Sequence, residues 1–280
     1  MTTGILYIVA TPIGNLNDIT LRAIDVLKQV DVVAAEDTRH SKKLLDHYGI
    51  ETRLMAVHDH NEEDRIQSLL TLLQGGSMVA LISDAGTPLI SDPGFRIVRA
   101  MQHSGVEVVS IPGPCAAIAA LSIAGLPTDR FLFIGFLPAK QKARQVALEA
   151  LLGEQGTLVF YESPKRIVAA VEDVAVVLGA GRTVSVAKEI TKTFETVKTG
   201  PVHEVLEWLQ DDEQHRRGEF VLLVQGAVES EGAVIDPSAM RALGLASEYM
   251  PLKKACALIS ELTGLPKNAL YEASLQQNKG

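Results

Sequence analysis

The chain has 280 residues, 47% of them hydrophobic and 5% aromatic, with two cysteines and a formal net charge of −8. That length predicts about two domains with a sizeable core. The longest apolar stretch, 115–126, is too short to span a bilayer and contains Ser122 and Gly125. No basic segment or cleavage site precedes the first apolar run, and Cys115 and Cys256 form neither a disulfide framework nor a zinc pattern. A soluble, cytoplasmic protein without a metal site is expected. The acidic balance weighs against nucleic acid, because phosphate binders carry a basic footprint, and only local patches could offset it.

Residues 5–10 read as a strand, after which Leu21, Ile24, Leu27 and Val30 recur at helical spacing. A second strand is predicted at 32–35 and a polar helix at 41–48, ended by Gly49. Asn61 is placed to cap a helix whose Ile66, Leu69, Leu70 and Leu73 share one face. Residues 78–82 and 106–111 read as buried strands. Between them Asp92-Pro93 carries the signature of a helix start, a capping carboxylate followed by proline. This alternation predicts a doubly wound α/β sheet over 1–124, with ligands bound outside the carboxyl ends of its strands.

A second α/β domain is predicted over 125–228. Its strands fall at 131–136, 157–161, 183–187, 193–199 and 220–224, with helices at 140–152 and 164–178. A polar linker at 229–236 leads to a small helix-turn-helix-like module over 237–280, with one helix opened by Pro251 and ended by Gly264 and another started by Pro266.

The chemistry-bearing residues collect after strands. Ala10-Thr11-Pro12-Ile13-Gly14-Asn15-Leu16 is a Pro/Gly turn that lets backbone approach a ligand, though it is no phosphate loop. Ser83-Asp84-Ala85-Gly86-Thr87-Pro88 leaves room for a bulky ligand and offers Asp84 as an acceptor. Pro112-Gly113-Pro114-Cys115-Ala116-Ala117 opens a helix of tiny side chains, with Cys115 read as a small hydrophobe. Glu36-Asp37-Thr38-Arg39 either lines a cleft or sits in solvent. Tyr161-Glu162-Ser163-Pro164-Lys165-Arg166 and Lys188-Glu189-Ile190-Thr191-Lys192 end strands of the second domain and read as a shared site or as solvated loops. His58 and His60 have no ligand spacing.

Together, ATPIGNLNDIT (10–20), EDTR (36–39), SDAGTPLISDPG (83–94), IPGPCAA (111–117), FYESPKR (160–166) and KEITKTFE (188–195) resemble the 16S ribosomal RNA cytidine 2′-O-methyltransferases, a branch of the tetrapyrrole-methylase superfamily. The resemblance implies two α/β domains with S-adenosylmethionine in the cleft between them, usually in a homodimer. It implies cofactor contacts from Pro12, Asp84, Ala85, Gly86, Leu89, Cys115, Ala116 and Ala117, with Tyr161 and Glu162 approaching from the second domain. ATPIGN and SDAGTP replace the superfamily's glycine-rich first loop and Gly-Asp-Pro motif, which favours the RNA branch over a tetrapyrrole substrate. The chemistry expected is 2′-O-methylation of a cytidine ribose in 16S ribosomal RNA or the small subunit. The alternatives are a small-molecule, tetrapyrrole-type methyltransferase and a cofactor-binding scaffold without chemistry. Catalysis is placed on Lys188 and Glu189, working with Glu36 or Asp37 around the hydroxyl. Arg39, Lys140, Lys142, Arg144, Lys165, Arg166, Lys253 and Lys254 are the expected RNA contacts, although solvated helix faces look the same in sequence.

Overall fold

The computed structural model describes residues 3–57, 62–227 and 237–277. One compact unit, Met1–Gly226, holds two five-stranded sheets, and a second, Ala227–Gly280, is helical.

The first sheet contains β1 (Ile5–Val9), β2 (Val32–Ala35), β3 (Arg53–Ala56), β4 (Val79–Ile82) and β5 (Glu107–Ile111). Its strands are all parallel, in the order β3-β2-β4-β1-β5. Every residue of β2 and β4 is buried, as a sheet covered on both faces requires. α1 (Leu21–Gln29) and α2 (Thr38–His47) pack over Val9, Val33 and Ala80; α3 (Glu62–Gln74) and α4 (Phe95–His103) pack over Leu6, Val79 and Leu81. Thr20 starts α1 by accepting the Ala23 amide at 3.1 Å. Asp37 accepts the amides of Arg39 and His40, so α2 begins at Thr38 rather than at residue 41. The edge strand β3, half exposed and carrying Arg53, was not foreseen in the sequence.

The second sheet contains β6 (Phe131–Phe136), β7 (Thr157–Glu162), β8 (Thr183–Lys188), β9 (Thr196–Pro201) and β10 (Phe220–Val224), in the order β6-β7-β10-β8-β9. β6 and β7 are parallel; the remaining pairs are antiparallel. One face carries α6 (Gln141–Glu149), α7 (Ile167–Leu178) and the unforeseen α8 (Val202–Asp211) over Phe160, Val184, Val186 and Leu222. The other face receives α5 (Ala116–Ile123) against Val159, Ala187, Val221 and Leu223. The helix that leaves the first sheet is thus packed on the second, which brings the loops of both to one place.

In the helical unit α9 (Pro237–Tyr249), α10 (Leu252–Thr263) and α11 (Lys267–Gln277) enclose Leu243, Ala255, Cys256, Ile259 and Leu270. Gly264 ends α10 in the left-handed conformation, φ 73°, as its position predicts. α9 adds a helix to the two expected. The linker at 229–236, the Asn61 cap, His58 and His60 lie outside the described residues. No described helix is long and apolar enough to cross a membrane.

Candidate active site

The loops after β1, β4 and β5 stand side by side because those strands are neighbours. Thr11 and Gly86 exchange backbone hydrogen bonds of 2.9 and 3.0 Å, the Thr11 hydroxyl donates to the Ser83 carbonyl, and the Thr87 hydroxyl donates to the Pro114 carbonyl. Gly86 sits at φ +82°, and a Cβ there would come within 3.2 Å of Ile13. Glycine is needed for this close approach.

A cavity of about 480 Å³ opens where these loops meet the second sheet. Ile13, Ala85, Thr87, Ile90 and Asp92 line it from the first half, with Cys115 and Ala116 at the start of α5. Phe136, Tyr161, Glu162, Ile190 and Val221 close it from the second. β10 runs antiparallel to β7 and β8, so its first residues share an edge with their last. The volume lies within the range of about 300–1,000 Å³ typical of small-molecule and cofactor sites, as does the mostly apolar wall.

Tyr161 joins the two halves. Its hydroxyl oxygen accepts the Ala117 amide at 3.2 Å, and Phe133 and Phe136 meet its ring edge-on at 4.9 and 5.8 Å. Burial, reinforced by neighbouring Cys115, raises its phenol above the ordinary value, so Tyr161 stays protonated. Asp92 is not the helix cap its sequence suggests. Gly94 occupies the cap of α4 without any side-chain bond, and Asp92 faces the cavity instead. Burial raises its carboxyl above the ordinary value; the Ser83 hydroxyl opposes that shift and Asp84 adds to it.

The profile of the tetrapyrrole (corrin/porphyrin) methylases matches residues 5–206, and that of the RsmI C-terminal HTH domain matches 233–278. Ribosomal RNA small subunit methyltransferase I of Escherichia coli O157:H7 is 54% identical over 274 residues, covering 98% of this chain and 96% of that protein. The chain belongs to this methyltransferase family. The enzyme of the same name from Pseudomonas aeruginosa is 52% identical over 278 residues, covering 99% of each. Among solved structures, the methyltransferase CobJ aligns with a TM-score of 0.61 at 18% identity, over 80% of this chain and 95% of its own. Uroporphyrin-III-C-methyltransferase from Thermus thermophilus gives 0.57 at 21%, over 79% and 94%. At such identities these structures establish the fold alone.

Within this methyltransferase fold the four residues expected to be catalytic do not converge on the cavity. Lys188 shares the α7–α8 face of β8 with Val184 and Val186, opposite the α5 face, and its ammonium donates to the Gln214 carbonyl at 2.5 Å. Lys188→Met is therefore expected to cost about 1.5–3 kcal/mol of stability, the range for hydrogen bonds to charged groups, and to leave initial rates unchanged. Denaturant unfolding and a methylation assay read the two effects. Glu189 accepts the Glu219 amide at 2.9 Å and the Lys192 ammonium at 3.0 Å. Burial alone would raise its carboxyl, but these donors hold it below the ordinary value. Asp37 caps α2 and pairs with Arg39, whose hydrogen bonds pull its carboxyl down to about 2; it is a weak base at neutral pH. Glu36 borders a separate, small recess with Val57, Leu81 and Pro93.

Of the expected cofactor residues, Ala85, Cys115, Ala116, Tyr161 and Glu162 line the cavity. The Glu162 carboxylate is turned away, accepting the Ser163 amide at 2.8 Å and pairing with Arg166. Pro12, Gly86 and Ala117 belong to the segments that shape the cavity, and the Asp84 carboxylate accepts the Asp37 amide at 3.0 Å. Leu89, at φ 73°, packs on the core beneath α4. Thr87, Asp92, Ile90 and Ile190 line the cavity without having been singled out as ligands in the sequence.

Of the expected RNA contacts, Arg144 is internal and Arg166 is partly buried. Arg144 is 5% exposed and donates to Asp173 at 2.6 Å, which removes it from any nucleic-acid surface. Arg166 is turned to Glu162 and the Leu137 carbonyl. Arg39 is 91% exposed beside Asp37, and Lys140, Lys142, Lys165, Lys253 and Lys254 are exposed.

Proposed function

We propose that the chain transfers the methyl group of S-adenosylmethionine to the 2′-hydroxyl of a cytidine in 16S ribosomal RNA, in the cytoplasm and as a homodimer. What carries this reading is the near-complete match to ribosomal RNA small subunit methyltransferases I, which includes the terminal helical module.

The cavity fits the cofactor. Ala85 and Ala116 leave room that an adenosyl group would fill, and Ile13, Ile90, Ile190 and Val221 would supply apolar walls for its rings. Ala85, Cys115, Ala116 and Tyr161 would hold it, with Pro12, Asp84, Gly86, Leu89 and Ala117 keeping the loops in place. When bound, the sulfonium supplies an electrophilic methyl group. The chain's own part is to align the acceptor oxygen with that group and exclude water, and positioning of this kind accounts for much of such an acceleration. Of the expected contacts, Lys140, Lys142, Lys165, Arg39, Lys253 and Lys254 are exposed and available to phosphates. A second copy would cover Ile118 and Ile123 of α5 and Phe131 and Leu132 of β6, all exposed.

The test is transfer of labelled methyl to small ribosomal subunits from cells lacking this protein, followed by nuclease digestion and mass spectrometry. A new 2′-O-methylcytidine is expected. Label that enters only an extracted tetrapyrrole pool would replace this reading with the small-molecule one.

A further inference from the structure

Among the described residues, four that are not glycine have left-handed backbone: Leu89, Ser91, Glu189 and Thr191. All lie in two of the loops around the cavity, where such strain persists only if the surroundings impose it. For Ser91 the structure shows what accommodates the side chain. β6 carries a bulge between Phe133 and Gly135, and a Cβ on Gly135, itself at φ +77°, would stand 2.9 Å from the Ser91 hydroxyl oxygen. The missing side chain at Gly135 leaves room for Ser91, and the next residue, Asp92, lines the cavity.

The cavity holds few other groups able to take a proton. Glu162 is engaged by Ser163 and Arg166, and Glu219 accepts the Lys192 ammonium at 2.8 Å. Tyr161 is held protonated, and Cys115 lies against it. Behind the wall Asp84 is bonded to the Asp37 amide. No ion pair among the described residues includes Asp92.

We propose that Asp92 is the catalytic proton acceptor for the acceptor hydroxyl, an inference that rests on the methyl-transfer reading above. The hydroxyl proton passes to an Asp92 carboxylate oxygen as the new C–O bond forms. The sulfonium C–S bond breaks at the same time, its electron pair staying on sulfur, and the proton later leaves to water. Burial, the largest influence on this carboxyl, makes it a stronger base than an exposed aspartate.

The test compares wild-type protein with Asp92→Asn and Asp92→Glu in three readouts. These are calorimetric binding of S-adenosylmethionine and S-adenosylhomocysteine, single-turnover methylation of undermethylated small subunits as a function of pH, and carbon-13 NMR titration of labelled aspartate. Asp92→Asn should keep cofactor affinity and lose about 10²- to 10⁴-fold in rate. Its rate should lose the rise with pH that the wild type shows, and Asp92→Glu should recover part of the rate. In the free protein the Asp92 carboxyl should titrate above the ordinary aspartate value. Full turnover in Asp92→Asn, a rate loss matched by lost cofactor affinity, or a carboxyl titrating at or below the ordinary value would each overturn the proposal. Failure of the wild type itself to methylate ribosomal RNA would strike the functional reading instead.

Discussion

Asp173→Ala should destabilise the first unit by about 3–5 kcal/mol, the range for removing one partner of a buried ion pair. The Asp173 carboxylate is 2% exposed and accepts Arg144 at 2.6 Å, Gln145 at 2.7 Å and Gln141 at 3.4 Å. It thereby ties α6 to α7. Without it the Arg144 guanidinium keeps one hydrogen bond, to the Ala139 carbonyl, and only the more distant attraction of Glu162. Replacing both partners together, Arg144→Met with Asp173→Leu, should cost far less, because apolar residues of similar volume need no pairing. Urea unfolding of the two variants separates the cases. A loss below about 1 kcal/mol in Asp173→Ala, the value of a surface pair, would mean that the pair is solvated.

That pair also shows what could be read in the sequence and what could not. Arg144 lies in a helix with Lys142, Gln141 and Gln145, and its neighbours are those of a solvated face. Its partner lies in another helix, where an aspartate among Val171, Val174 and Val177 was the available signal. The strands β1, β2 and β4 were legible because burial on both faces leaves unbroken apolar runs. β3 was not, because an edge strand needs only part of that pattern. α8 carries Val202, Val205 and Leu209 at helical spacing, a signal that was in the sequence and was passed over. Lys188 could have been placed by parity: β8 buries Val184 and Val186 on the face away from α5, and two residues further the side chain returns to that face. Asp92 was beyond local reasoning. Asp-Pro is a capping signal, yet Gly94 takes the cap, and the residue before Asp92 is accommodated by Gly135, more than forty residues on.

The small residues around the cavity were legible and support the second large effect. Ala116→Phe places an aromatic ring where α5 meets the cavity, so it should act on the ligand and little on the fold. Overpacking costs about 1–3 kcal/mol, and 1.4 kcal/mol is tenfold in affinity, so S-adenosylhomocysteine should bind roughly 5- to 150-fold more weakly. Linkage provides a second readout. A ligand at a hundred times its dissociation constant stabilises the native state by about 2.7 kcal/mol, so the wild-type unfolding transition should move up with this ligand. At the same ligand concentration the variant should move much less, while its unliganded transition stays near that of the wild type. Val176→Ala, on an exposed part of α7 remote from the cavity, serves as the control and should bind normally. Wild-type affinity in Ala116→Phe would place the cofactor outside this cavity. Asp92 would then lose its acceptor as well, because a base at this position is useful only where the methyl group is delivered beside it.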